Sequence, residues 1–247
     1  MSHGNRILLT GGFGRLGSEL RALLPGIQAP AHTAMDITDP ASVDAAVRAA
    51  TPAVIVHAAA YTDVAGAERD RALCWRVNVE GTRIVTRAAL AAGALLVHIS
   101  TDYVFDGLRG GYREEDIPGP AMNHYALSKI AAEEVARTAP RHLVIRTSFR
   151  PREWPYPVAF TDVFTSQDYV DVIAPEIALA VRHAAEIGWD TLHIATERKS
   201  VFDLARRRRA DVQPGSKTGA RVALPDDISL DGARWTALRT RLLTEEA

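Results

Sequence analysis

The stretch TGGFGRLG, residues 10–17, constrains the fold more than any other part of the chain. It follows the apolar run RILLT (6–10). It precedes a helical pattern over about 14–24 that places Leu16, Leu20, Leu23 and Leu24 on one face. Gly11, Gly14 and Gly17 give the spacing G-x-x-G-x-x-G. Glycines here permit a tight turn, let the backbone approach a pyrophosphate and let the helix pack closely on the sheet. The first turn of the helix, which includes Arg15 and Leu16, offers free N–H groups and partial positive charge to phosphates. A glycine-rich turn alone is often only a turn. Its place between strand and helix, near the start of the chain, makes it a dinucleotide site.

Beyond that turn, strand-like and helical patterns alternate. A short second strand is expected near 27–29 and a third strand ending at MDITDP, where Asp39 suits an N-cap and Pro40 the first helical position. AVIVHAA (53–59), ALLVHIST (94–101) and HLVIRT (142–147) read as buried strands. Helices are expected over about 74–92, ending at Gly93, and over 122–138. This alternation argues an α/β fold, a Rossmann-type doubly wound parallel sheet covered on both faces. RPREWPYP (150–157) holds three prolines and reads as irregular. A helix over about 174–187 and a strand at 191–195 complete the sheet. The expected division is a dinucleotide-binding domain over 1–195, interrupted at about 150–165, and a small C-terminal substrate lobe over 196–247.

A residue after the second strand usually reads the ribose: an acid for the 2′-hydroxyl of NAD, a base for the 2′-phosphate of NADP. IQAPAHT (27–33) has neither Asp, Glu, Arg nor Lys. His32 and Arg15 are the available phosphate partners and tilt the reading toward NADP, with NAD left open. Asp36 and Ile37 fall where an adenine would be edged and packed.

Tyr125 and Lys129, in NHYALSK, are one helical turn apart and share a face. An ammonium beside a phenol favours the phenolate and makes the tyrosine a usable acid or base. Ser100 and Thr101, in HISTDY, end a strand, where open α/β sheets place their ligands.

Bulk properties exclude other classes. With 29 basic and 30 acidic residues, the net charge of −1 gives no pull toward nucleic acid or membrane. The lone cysteine, Cys74, excludes an internal disulfide. No apolar run is long enough for a membrane span and no signal-peptide core is evident, so a cytoplasmic protein is expected. His57 and His98 stand singly and no H-x-x-x-H pair occurs, so no metal is assigned. RRRR (206–209) reads as a solvated helix end, with an anion site as the alternative.

TGGFGRLGSEL, MDITD, VHAAAYTDVAGAE, VNVEGT, VHISTDYVFDG and NHYALSKIAAEE together resemble the extended short-chain dehydrogenase/reductase superfamily. Within it, they look most like the dTDP-4-dehydrorhamnose reductase family. ALPDDISLD (223–231) is a fainter echo of that family's C-terminal segment. The resemblance implies that Tyr125 protonates the keto oxygen of a nucleotide-linked 4-keto-6-deoxysugar, with Thr101 hydrogen-bonded to the same oxygen. It implies that Lys129 holds the nicotinamide ribose, that Ala58, Ala59 and Ala60 pass close to NAD(P)H, and that Asn78 lies behind the site. It makes Tyr103, Asp106 and Trp154 candidate substrate contacts.

The chain also departs from that pattern. Asp102 is followed by Tyr103, where related dehydratases carry Glu, which favours plain reduction over dehydration; an NDP-sugar epimerase or dehydratase, running without net cofactor consumption, is a further alternative. The segment 146–171 is short and lacks a substrate-wrapping helix, and Gly66 stands where the family has lysine. A regulatory, non-catalytic NAD(P)-binding subunit, like that of methionine adenosyltransferase, is the alternative of another class. A homodimer through helices 74–92 and 122–138 is expected, with Ala88, Ala89, Ala91, Ala92, Ala131 and Ala132 allowing close approach.

Overall fold

The computed structural model describes residues 6–219 and 224–245. Ala223, the first residue of the C-terminal echo, lies outside them, as does the N-terminal segment 1–5.

The chain opens with β1 (Ile7–Thr10) and α1 (Arg15–Leu23). α2 (Pro40–Ala50) starts as expected: the Asp39 carboxylate accepts from the Ala41 N–H at 2.9 Å, and Pro40 occupies the first turn. β2 (Val54–His57) leads to the short helices α3 (Val64–Arg69) and α4 (Arg71–Trp75). A π-helical turn, Arg76–Glu80, joins α4 to α5 (Gly81–Ala92), which ends at left-handed Gly93. β3 (Leu95–Thr101), α6 (His124–Ala136) and β4 (His142–Thr147) follow.

These strands are apolar nearly throughout, because both of their faces are covered. β1 to β4 pair in parallel, in that order. Leu9 and Leu16 belong to a core on one face and Leu8 and Val43 to a core on the other. That is the doubly wound arrangement.

The second and third strands are not formed as expected. Gln28 makes a single parallel bridge to Leu8, outside β1. Residues 31–39 turn instead of extending, with the Ala34 and Met35 N–H groups both donating to the Ala31 carbonyl. Pro30 has no N–H for a ladder, and the Asp36 carboxylate accepts from the Thr38 N–H and hydroxyl, each at 2.8 Å. Only Met35 and Ile37 reach the core.

RPREWPYP is irregular from Pro151 to Pro157, as expected. Short strands flank and follow it: β5 (Phe149–Arg150), β6 (Val158–Phe160), β7 (Phe164–Thr165) and β8 (Asp168–Tyr169). α7 (Val170–Arg182) and β9 (Thr191–His193) follow, and β9 extends the main sheet beside β4. Next come β10 (Lys199–Ser200), α8 (Val201–Arg206) and β11 (Gln213–Gly215). β10 pairs with β7 and β11 with β6, so segments on either side of the sheet's last strand build one small lobe. Its core is Trp154, Ala159, Val163, Tyr169, Val201, Leu204 and their neighbours. α9 (Ala233–Glu245) leaves that lobe and packs Trp235, Leu238 and Leu242 into the main core. Among the described residues no helix is long and apolar enough to cross a membrane.

The arginine run is consumed locally. Arg206 lies over Phe202, Arg207 pairs with Asp168 and Glu197, Arg208 with Asp171, and Arg209 with Asp211.

Candidate active site

The carboxyl ends of β1 to β4 open into one cleft of about 940 Å3. Its lining contains Gly11, Gly14, Arg15, Leu16, Gly17, Asp36, Ile37, Ala58, Ala59, Ala60, Thr101, Tyr103, Tyr125 and Lys129.

The glycine turn fits a pyrophosphate. Gly11 is left-handed at φ +70, and a Cβ there would lie 2.7 Å from the Ala59 nitrogen. A Cβ on Gly17 would lie 2.1 Å from the Gly11 carbonyl oxygen. Gly14 caps α1 without a side chain, so the N–H groups of Arg15, Leu16 and Gly17 have no intrahelical acceptor. All three residues line the cleft, and a helix start of this kind receives a phosphate group well. Arg15, His32 and Arg76 all line the cleft, and Arg76 has no signature that the sequence made visible.

Asn123 caps α6 by accepting from the Ala126 N–H at 2.8 Å, which fixes the turn that carries Tyr125 and Lys129. Both side chains are buried, at 8% and 3% exposure. Asn78 ties this helix to the loop after β2. Its Oδ1 accepts from the Tyr61 N–H at 2.7 Å, and its Nδ2 donates to the Tyr61 carbonyl at 3.1 Å and to Ser128 Oγ at 2.9 Å. The Ser128 hydroxyl in turn donates to the Tyr125 carbonyl at 2.7 Å. Asn78 sits in the π-helical turn, a distortion common at functional sites.

The electrostatics differ from the expectation that Lys129 acidifies Tyr125. Burial pushes the phenol well above its ordinary value, while the Thr101 hydroxyl pulls it down and the Asp102 charge adds to the rise. Lys129 instead donates from Nζ to the Ile99 carbonyl at 2.9 Å, and burial lowers it to about 8. Tyr125 is therefore held as the phenol, and the raised value makes it a weaker acid than a free tyrosine, so what it offers a carbonyl oxygen is a fixed O–H donor. Thr101 Oγ1 donates to Asp102 Oδ1 at 3.0 Å and accepts from the Tyr103 N–H at 3.2 Å, which orients it. Burial raises Asp102 to about 6, opposed by the hydroxyls of Thr101 and Ser148 and by the Arg150 charge.

A second cavity of about 500 Å3 adjoins the cleft. Tyr103, Ser148, Arg150 and Gln167 line both and mark the junction. The Tyr103 ring stands edge-on to Tyr125, with centroids 5.9 Å apart. Trp154 lines this second cavity and belongs to the small lobe's core, with Tyr156 edge-on to it. Asp106 lines neither cavity. Its carboxylate accepts from the Tyr112 hydroxyl and from the Leu108 N–H, closing a turn beyond buried Phe105. Ser148, Arg150, Gln167 and Phe160 were not legible as site residues. The strand-end rule that selected Thr101 would have selected Ser148, just past β4.

A family model described as the RmlD substrate binding domain matches residues 5–154. The chain belongs to this family. The dTDP-4-dehydrorhamnose reductase of Mycobacterium tuberculosis (strain ATCC 25618 / H37Rv) is 40% identical over 154 residues, which are 58% of this chain and 50% of that protein. The Streptomyces griseus enzyme of the same name is 43% identical over 132 residues, 52% of this chain and 43% of its own. The chain thus spans about half the length of the curated relatives it matches. Structural similarity in the RmlD family extends further. The Bacillus anthracis str. Ames dTDP-4-dehydrorhamnose reductase in complex with NADP superposes with a TM-score of 0.84 at 28% identity, covering 98% of this chain and 93% of that one. A hypothetical dTDP-4-dehydrorhamnose reductase from Sulfolobus tokodaii gives 0.79 at 31% identity, covering 94% of each chain.

Proposed function

We propose that the chain is an NAD(P)H-dependent reductase of the keto group of a nucleotide-activated deoxysugar. The observation that carries this is the meeting of Thr101, Tyr125 and Lys129 in a cleft that starts at the glycine turn and continues into a second cavity. A bound nicotinamide dinucleotide supplies the hydride. In this reading Tyr125 gives its proton to the carbonyl oxygen, and Thr101 holds that oxygen in line. Lys129 steadies the ribose, and Tyr103 walls the reacting centre. The Asp102–Tyr103 sequence, without a following Glu, supports reduction over dehydration.

Arg15 and Arg76, with His32 beside them in the cleft lining, support NADPH as the preferred cofactor, as does the NADP complex of the Bacillus anthracis relative. We assign the cofactor to the part of the chain before residue 196 and the substrate's remote half to the small lobe. A homodimer through α5 and α6 fits the exposure of Leu90 (57%) and Leu127 (45%); Ala88, Ala89 and Ala132 are already packed within the chain. Light scattering reports it directly. A cytoplasmic setting fits a reaction that consumes NADPH.

The test is absorbance at the nicotinamide band with a panel of dTDP- and other NDP-4-keto sugars. Wild type is expected to oxidise NADPH with at least one of them. Tyr125→Phe is expected to lose turnover about 100-fold or more while keeping cofactor affinity. Silence across the whole panel, together with a co-purifying larger partner, would favour a regulatory subunit instead.

A further inference from the structure

Arg150 stands where the two cavities join. Other arginines around the small lobe are spoken for: Arg152 by Glu19, Arg198 by Asp227, Arg207 by Asp168 and Arg208 by Asp171. The Arg150 side chain forms no hydrogen bond and no ion pair with any described residue, and its Nε is enclosed without a partner. Its guanidinium carbon lies 5.4 Å from the centre of the Trp154 ring, which backs it. Asp102 is the acid whose charge it feels, but the Asp102 carboxylate takes its hydrogen bond from Thr101, so the donors of Arg150 remain uncommitted.

A half-buried guanidinium without a partner is unfavourable, and its planar fork of donors matches the oxygens of a phosphate. Beyond Arg150 the second cavity changes character. Trp154, Tyr156, Phe160, Leu224, Pro225 and Ile228 present flat or apolar surfaces with few hydrogen-bonding groups. Such walls suit an aromatic ring and suit a sugar poorly. The order along the joined cavities is therefore a proton donor at Tyr125, a cation at Arg150, then an aromatic chamber. A nucleotide sugar has its carbonyl, diphosphate and base in that same order.

We propose that Arg150 is the residue that grips the substrate's diphosphate. This rests on the reading of the protein as a nucleotide-sugar reductase. It assigns the substrate's anchor to a residue outside the Thr101, Tyr125 and Lys129 set. Nearly all of the aromatic chamber comes from residues that follow the part matched by the family model.

Calorimetric titration of the whole protein separates this inference from the activity. The ligands are dTDP, thymidine and NADPH; the proteins are wild type, Arg150→Met and Arg150→Lys, each checked by thermal melting. Arg150→Met is expected to weaken dTDP about 30-fold, the loss of a charge-assisted pair, with thymidine and NADPH unchanged. Arg150→Lys is expected to fall between. Equal dTDP affinity in wild type and Arg150→Met overturns the proposal. So does a wild type that does not bind dTDP, or a loss of NADPH affinity as large as the loss for dTDP. If dTDP binding depends on Arg150 but no keto-sugar is reduced, the proposal stands and the reductase reading fails. If keto-sugars are reduced equally well by Arg150→Met, the reverse holds.

Discussion

Lys129 Nζ donates to the carbonyl of Ile99 at 2.9 Å, so the ammonium is held at the end of β3, under the cleft. Burial lowers Lys129 to about 8, and the Glu133 charge works in the opposite direction. The ammonium therefore discharges as pH rises through about 8. If its charge serves the bound cofactor, kcat/KM for NADPH oxidation falls above that pH with a single descending limb. A profile that stays flat to about pH 10, near the ordinary lysine value, would detach Lys129 from turnover.

Glu133 lies one turn beyond Lys129 and is 1% exposed, as is Arg146. Their contacts are bidentate, at 3.0 and 3.2 Å from Nε and 2.9 Å from Nη2. Removing one member leaves the other charged and buried. Glu133→Gln or Arg146→Met alone should cost about 3–5 kcal/mol in urea unfolding. The double variant should cost less than the sum, because neither charge is then stranded. Strict additivity would mean the two act independently.

Arg15 opens α1 and lines the cleft together with His32 and Arg76. The nearby Asp36 carboxylate accepts from Thr38 through Oδ1. Arg15→Ala should raise KM for NADPH by about 10-fold, the value of one charge-assisted contact, and leave KM for NADH nearly unchanged. An equal rise for both cofactors would move the 2′-phosphate away from Arg15.

How much of this was legible in the chain follows from the range of each interaction. The glycine turn, the Asp39 cap, the Gly93 stop and the Tyr125–Lys129 pair are local, and the sequence pattern reveals them. Strands β2, β3 and β4 are nearly continuous apolar runs and were equally visible. The turn at 31–39 was misread as a strand because its decisive interaction, Thr38 on Asp36, is a side-chain bond that hydrophobic patterning does not register. The second cavity was invisible for another reason. Its walls come from residues as far apart as Asp102 and Ile228, joined by two-residue pairings such as β7 with β10. The rise of Tyr125 is not legible in the chain, because spacing gives the proximity of Lys129 but not the burial that outweighs it.

Three buried histidines make the fold sensitive to acid. Burial holds His57 at about 3, His193 at about 4 and His98 well below its ordinary value. His57 bonds to Thr10 and Thr82, whereas neither ring nitrogen of His98 has a partner. In the unfolded chain each takes up a proton near pH 6.5, while the folded protein does not. Below that pH the unfolded state binds more protons, so stability falls as pH falls, and continues to fall until the folded-state values are reached. Asp102 acts in the opposite sense. Its folded value of about 6 lies above the ordinary carboxylate value, so between pH 6 and 4 the folded state holds the extra proton and gains stability on acidification. The three histidines outweigh Asp102, so stability falls on acidification through that window. Urea unfolding at a series of pH values between 4.5 and 6 measures the slope. His98→Leu removes one proton from the balance and one unpartnered imidazole from the core, so the slope should drop by about 1.4 kcal/mol per pH unit. An unchanged slope in that variant would mean that His98 is protonated in the folded protein, with a partner that burial alone does not reveal.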